Sequence, residues 1–550
     1  MSKLLRRAMS SMLVLAMTAT VATACGSNEK ASESTQSAAV GTTSDSTTGQ
    51  SAPGSDSLEP ITLTFFDKNT GDAFGKDDVS KEITRRTGVS LEMQQPTGNA
   101  NEKLNLLLAS GDLPDIILMD RSGDTTNKYI STKSFVPLND LIDKYGPDVK
   151  AMYGNILNQT RSEDGKNYYL SNWYGFEKEP VFGFLMRKNI LAEVAPDVAA
   201  GGKSITTDEY IDILKKVKEK HAQINGHATI PVTMWTENWS AQIGTLKGAW
   251  GMKTFYDDGS GTLRYEFKDP KFAEIIKFWN KLYTEGLLEK EWAVNKKQLW
   301  MQKCSGGYVF STLGAYWDLG EANTVLKKES DDSQFYPYKV TAPGVDASAT
   351  TYGPRSGLGW DAIGISKSNE HPERTMQFIN FLASEEGQYL LQWGLQDKTW
   401  KLENGKHVPM EGVLESFNKD WNKFRDETGI RKWTWFIKNG PGSDGTPYDL
   451  AARYNRNDLD KMAVKNLSDS TWDSAPFDGL NPAGGTAEAL IYQKIDDLYK
   501  QAIPKCVYAK SEEEAVKLFN KFVADANAAG AEKVEKVITD NYNKRMELWK

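Results

Sequence analysis

Residues 61–119 carry strand and helix signals in strict alternation, and that order limits the fold more than any other feature of the chain. Residues 61–66 (Ile-Thr-Leu-Thr-Phe-Phe) alternate β-branched and aromatic side chains, as a strand does. A polar turn over 67–71 leads to a helix carrying Val79, Ile83 and Arg86, and then to a second strand at 89–93. The next helix carries Leu104, Leu107 and Leu108 and stops at Gly111; a strand at 115–119 follows Pro114. Parallel strands need crossover connections, and helices supply them. The β-α-β-α-β order therefore predicts an α/β fold with a parallel sheet covered by helices.

Further along, helices announce themselves by their caps. Thr206 and Glu209 have capping-box spacing ahead of Tyr210, Leu214, Val217 and His221. Pro372 suits the first turn of a helix with Met376, Ile379 and Leu382. Ser511 and Glu514 precede a helix with Ala515, Leu518, Phe519, Phe522 and Ala526 on one face, and Gly530 separates it from a last helix ending near Trp549. The C-terminal third reads as helix and loop. A length of 550 residues suggests two to four domains.

The first 60 residues differ in kind. Lys3, Arg6 and Arg7 precede an uncharged stretch over 8–24, which is the form of a signal peptide (1–24). It ends in Val21-Ala22-Thr23-Ala24-Cys25-Gly26, which resembles the lipobox of bacterial lipoproteins, with Ala22 where Leu is usual. That resemblance implies a diacylglycerol (palmitate-type acyl chains) on Cys25. The polar, small-residue segment that follows cannot bury enough surface to fold, so 25–60 reads as lipidated Cys25 plus a tether. The net charge is −8, near −11 once Lys3, Arg6 and Arg7 are removed, which argues against general nucleic-acid binding.

Catalytic and metal motifs fail on inspection. Gly202-Lys203-Ser204 ends like a phosphate loop, but Asp197 stands where the first glycine must be. Ser443 lacks a glycine two places before it, where Pro441 sits, so it is not a nucleophile elbow. His221, His227, His371 and His407 show no metal-binding spacing. Cys304 and Cys506 read as buried thiols, with a disulfide between them left open. Asp257, Asp258 and Gly259 read as a hairpin turn. No catalytic residue, metal or cofactor is assigned, although a pair of carboxylates suited to glycoside hydrolysis is not excluded by sequence.

Several ordered segments resemble the extracellular solute-binding lipoproteins of bacterial ABC importers, the large Gram-positive oligosaccharide-binding type. Gly111-Asp112-Leu113-Pro114-Asp115-Ile116 resembles that family's Gly-Asp-x-Pro-Asp signature. Residues 168–174 with 184–191 resemble its crossover into a second lobe, and 277–288 its "LYxEGL" helix end. Residues 359–367 leading into 371–387 resemble the return strand and helix. The resemblance implies a periplasmic-binding-protein-like fold: two α/β lobes, a ligand cleft between them and a helical C-terminal part. The lobes are placed at 61–178 plus 350–400 and at 179–349 plus 401–550. It further implies a monomeric, non-enzymatic receptor on the extracellular face of the membrane, passing an oligosaccharide to ABC permease subunits. A surface glycoside hydrolase or lyase, or a peptide receptor, stands as the alternative.

In open α/β sheets ligands bind beyond the carboxyl ends of the strands. That rule selects Asp67 and Asn69 after the first strand, and Asp120 and Arg121 after the strand at 115–119. The crossover adds Trp173 and Tyr174. In the second lobe Trp235, Glu237 and Trp239 follow an expected strand at 230–234, and Tyr316 and Trp317 follow one at 307–311. Arg355, Trp360 and Asp361 flank the return crossover. Trp360 ranks first, because it opens a strand beside a carboxylate and a strand start has no need of so large a side chain; packing under the hinge is the alternative role.

Overall fold

The computed structural model describes residues 59–550 apart from 97, 181, 237 and 238, and leaves out the side chains of 239–241. The expected signal peptide, Cys25 and nearly all of the tether lie outside the described residues, as do Glu237 and the side chain of Trp239.

Two sheets organise the body. Their strands are β1 (Ile61–Asp67), β2 (Val89–Gln94), β3 (Ile116–Asp120), β4 (Leu170–Asn172), β5 (Phe182–Arg187), β6 (Ile230–Thr233), β7 (Val309–Ala315), β8 (Phe335–Tyr338) and β9 (Asp361–Ile365). The first sheet has five strands in the order β2-β1-β3-β9-β4, and the second has four in the order β8-β5-β7-β6. Strands β1, β2 and β3 run parallel, as the β-α-β-α-β pattern requires. Strand β9 runs antiparallel to both β3 and β4. The all-parallel expectation fails there because the chain re-enters this sheet from the other lobe, at the edge where the parallel strands end.

Side-chain alternation explains why each sheet is covered on both faces. Leu63, Phe65, Ile116, Leu118, Ile363 and Ile365 face one core, shared with the helices Asp78–Thr87 and Pro372–Ala383. Their neighbours Phe66, Ile117, Met119 and Ala362 face a second cluster with Leu104 and Tyr129. A strand's side chains point alternately up and down, so an uninterrupted apolar run implies two apolar layers. In the second sheet Phe184, Met186, Phe310 and Tyr336 face one core and Leu185, Val309 and Phe335 the other.

The predicted caps form. Thr206 Oγ1 accepts from the Glu209 amide at 3.2 Å, and the Glu209 carboxylate accepts from the Thr206 amide at 2.7 Å. The helices Ala487–Val507 and Glu512–Ala529 pack on Pro270–Thr284 of the second lobe, where Phe272 and Phe519 stack at 5.4 Å. The lobe boundary drawn at residue 400 moves, however. Val413, Phe424, Ile430, Trp433, Trp435, Phe436 and Ile437 belong to the first sheet's core. Their segment is two short helices, Val413–Lys419 and Trp421–Thr428, followed by an irregular aromatic stretch over 430–437, and neither part has a strand or long helix that would have tied it to a lobe. Cys304 and Cys506 are buried free thiols, and residues 257–261 join a short hairpin.

Candidate functional site

Strands β1, β3 and β4 end, and β9 begins, along one edge of the first sheet; in the register Asp361 faces Asp120 on one side and Asn172 on the other. The turn after β1 folds back onto that edge. Lys68 forms ion pairs with Asp120 and with Asp361 (2.9 Å), and Asn69 Nδ2 donates to Asp361 Oδ2 at 3.1 Å. Burial opposes the Lys68 charge, but the two carboxylates outweigh it and hold its pKa above the ordinary value.

Asp67 is buried, and both its oxygens are occupied: Oδ1 accepts from the Asn69 amide and Oδ2 from the Trp435 indole, each at 2.7 Å. Burial pushes its carboxyl up to about 6, against the pull of these donors. Asp67 therefore shapes the turn that presents Lys68 and Asn69, and is not itself a free arm as expected. Arg121 is likewise corrected. Its Nε donates to the Gly359 carbonyl (2.9 Å), its Nη2 to Ser356 Oγ (3.1 Å), and it pairs with Asp478. It clamps the return turn.

Trp360 stands on that turn. Gly359 has φ +77°, and a Cβ there would fall 2.0 Å from the Asn172 carbonyl, so only glycine brings the turn this close to the edge. The Trp360 amide donates to the same carbonyl at 3.2 Å, which fixes the backbone, while the side chain is 46% exposed. Core packing is thereby excluded for it. The guanidinium of Arg355 lies 5.8 Å from its ring centroid.

The crossover residues divide. Trp173 is half-buried at φ +59°, with Arg431 5.5 Å from its ring. Asn172 secures this strained position: its Oδ1 accepts from the amides of Trp173 (3.0 Å) and Ile437 (2.8 Å). Tyr174 turns the other way, into the core, and stacks on Tyr153 at 3.8 Å; its expected ligand contact gives way to packing.

Strands β6 and β7 of the second sheet run parallel and end near Trp235 and Tyr316. Trp235 is mostly buried and stacks on Trp300 at 5.6 Å. Beneath it Lys303 pairs with Glu289, and Asn295 Nδ2 donates to Glu289 Oε2 (2.6 Å) and to the Met234 carbonyl (3.0 Å). Tyr316 is also mostly buried, whereas Trp317, set edge-on to it at 5.1 Å, is 51% exposed.

Three connecting segments are pinned together beside these groups. Arg453 pairs with Glu177 (3.2 Å) and Glu179 (3.5 Å), and Arg456 pairs with Glu179. Arg355 feels both glutamates, Arg453 and the Tyr316 hydroxyl, which links the first-lobe turn to the second lobe. Sequence reasoning missed Lys68, Trp435, Trp300 and this Glu–Arg group. A lysine between the two selected residues Asp67 and Asn69, and two tryptophans at 433 and 435, were the available signals. Among the described residues no His, Cys, Asp and Glu cluster has the arrangement of a metal site.

This architecture has known counterparts. A family model for bacterial extracellular solute-binding proteins matches residues 78–394. The chain belongs to that family. Among curated relatives it is 24% identical, over 61% of its length, to a fructooligosaccharide ABC transporter substrate-binding protein of Streptococcus pneumoniae, and 23% identical, over 60%, to a lipoprotein of Bacillus subtilis. The matches span 64% and 65% of those two proteins, just under two thirds of their length. Among solved structures, an alginate-binding protein without calcium ion superposes with a TM-score of 0.60 at 22% identity, covering 88% of this chain and 98% of that one. An HMO-binding, ABC-transporter-associated solute-binding protein of Bifidobacterium longum infantis gives 0.65 at 16% identity, covering 88% and 99%. At these identities the shared property is the two-lobed α/β fold of the family.

Proposed function

We propose that this protein is an extracellular receptor, anchored to the membrane through a lipid on Cys25, that captures an oligosaccharide between its lobes and delivers it to an ABC importer. The observation that carries the reading is the presence of two open indoles, one beside each of the two sheets. Trp360 stands on the first sheet's edge and Trp317 lies two residues beyond the end of β7, with the exposed polar groups of Asn69 and Asp120 on the first-lobe side. Sugars present C–H faces that stack on flat rings and hydroxyls that pair with carboxylates and amides, so this mixture suits them. The fructooligosaccharide transporter protein and a polygalacturonan/rhamnogalacturonan-binding protein of Bacillus subtilis, 21% identical over 77% of this chain, support the same ligand class. A non-catalytic role fits carboxylates that are already engaged: Asp361 by Lys68 and Asn69, Glu177 by Arg453.

Calorimetry of the full chain against a panel of neutral and acidic oligosaccharides and short peptides tests the reading, with product analysis of each mixture. Saturable binding of a sugar returned intact is the expected result. Cleaved sugar, or binding of peptides alone, overturns it. For the anchor, Cys25→Ser should move the protein from membrane to soluble fraction, and an unlipidated wild-type protein would refute that part.

A further inference from the structure

Most cations around the first-sheet edge already have an anion. Lys68 has Asp120 and Asp361, Arg121 has Asp478, Arg431 has Asp449, Arg453 has Glu177, and Arg456 has Glu179. Arg355 differs. It is 8% exposed, yet among the described residues its guanidinium makes no hydrogen bond and no ion pair. Among the described residues it lies over one ring, that of Trp360. Its segment, Gly353–Arg355, is held rigidly by parallel pairing with Thr471–Asp473, and the Ser474 amide donates to the Arg355 carbonyl at 2.9 Å.

A buried, unpaired guanidinium is costly, because water no longer solvates the charge fully and nothing replaces it. Burial pulls the Arg355 pKa below its ordinary value, and neighbouring Arg453 adds to that pull; Glu177 and Glu179 act the other way but are themselves bound to Arg453 and Arg456. The charge sits against an exposed indole suited to a sugar face, and the neighbouring cations Arg453 and Arg456 already have carboxylates of their own. A sugar hydroxyl could accept from Arg355 but would leave the charge uncompensated. A carboxylate would neutralise it and match the planar fork with two parallel N–H···O bonds.

From this we infer that the ligand is an acidic oligosaccharide, with a uronate carboxylate seated on Arg355 while a sugar ring lies over Trp360. The inference rests on the oligosaccharide reading and narrows it to one chemical class. Oligogalacturonates and oligoalginates of two to six residues can be compared with their carboxyl-reduced counterparts, which keep the stereochemistry and lose only the charge. Calorimetry on the full wild-type chain should show an acidic member binding about tenfold or more tightly than its reduced partner. In Arg355→Gln that ratio should fall towards one, while Arg355→Lys, which keeps a charge without the fork, should retain part of it. Equal or tighter binding of the reduced partner by wild type, or an undiminished ratio in Arg355→Gln, overturns the inference. So does binding confined to neutral oligosaccharides, which leaves the broader reading standing. Binding of no sugar of either kind removes both. The wild-type ratio decides the matter even if the variants fold poorly.

Discussion

The two sheet edges that face the proposed ligand are built on opposite plans. On the first, charge lies at the surface: Asp120 and Asn69 are exposed, and Lys68 joins Asp120 to Asp361. On the second, charge lies underneath. Lys303 and Asn295 are buried and Glu289 half-buried, and Asn295 holds the backbone on both sides of Trp235, which stacks on Trp300. The same polar chemistry thus serves presentation in one lobe and support in the other. Four perturbations separate these roles.

The largest effect belongs to the buried support. Lys303→Met leaves the Glu289 carboxylate without its cation, and breaking a buried pair from one side costs about 3–5 kcal/mol. Urea denaturation should show a loss of that size. A loss below about 1 kcal/mol would mean that Thr233 and Asn295, which both donate to Glu289, suffice alone, and the contrast between the edges would weaken.

The first edge has two buried acids, Asp361, which Lys68 pairs, and Asp67, which no cation pairs among the described residues and whose signature is in pH. Its folded pKa of about 6 lies above that of an unfolded aspartate. Between about pH 4 and 6 the native state therefore holds a proton that the unfolded chain has released, so this contribution to stability is complete below about pH 4 and lost as pH rises through 6. Two units correspond to roughly 2–3 kcal/mol. The stability of wild type minus that of Asp67→Asn should fall by about that amount from pH 4 to pH 7. A flat difference would show that Asp67 is charged throughout, and therefore better solvated than its surroundings suggest.

These two groups also show what could be read in the sequence and what could not. The strands flanking Asp67 followed from alternation and the helix caps from local spacing, because both are properties of neighbouring residues. The rule about strand ends led to Asp120 and Trp317, which sit at or just beyond such ends, and the return crossover led to Trp360 and Asp361, which sit where β9 begins on the same edge. Side-chain direction was not legible: Asp67 and Arg121 point into hydrogen-bonded turns, and Tyr174 into the core, and the partners that hold these segments, Ser356, Gly359, Trp435, Ile437 and Asp478, lie more than 200 residues away. The placement of 413–437 was hidden in the same way. Two short helices and an irregular aromatic stretch carry too little pattern to show which sheet they cover, so only the core they enter identifies their lobe.

Trp360 tests whether the open indole of the first edge belongs to the ligand or to the fold. Truncating a core tryptophan costs about 3–5 kcal/mol of stability. With nearly half its surface open, Trp360→Ala should cost little stability and weaken binding of the sugar found in the calorimetric panel by ~1–3 kcal/mol, as for other ring-stacked ligands. Unchanged affinity in a folded variant would remove Trp360 from the site.

The smallest effect should come from Trp317, and it decides whether both edges hold one ligand. Among the described residues Trp317 has one ring contact, edge-on against Tyr316, and it is 51% exposed. Trp317→Ala should therefore leave the urea midpoint unchanged and weaken the same sugar by about 1 kcal/mol, the low end of ring stacking. The informative measurement is the double variant with Trp360→Ala. If a single sugar chain spans the lobes, each indole stacks on a different ring, the two residues share no partner, and their losses should add to within about 0.5 kcal/mol. Full affinity in Trp317→Ala would confine the ligand to the first lobe, and the second edge would then serve closure alone. A double variant no weaker than Trp360→Ala would mean that Trp317 engages only after Trp360 has seated the sugar, a sequence in which the charged edge captures the ligand and the aromatic edge closes on it.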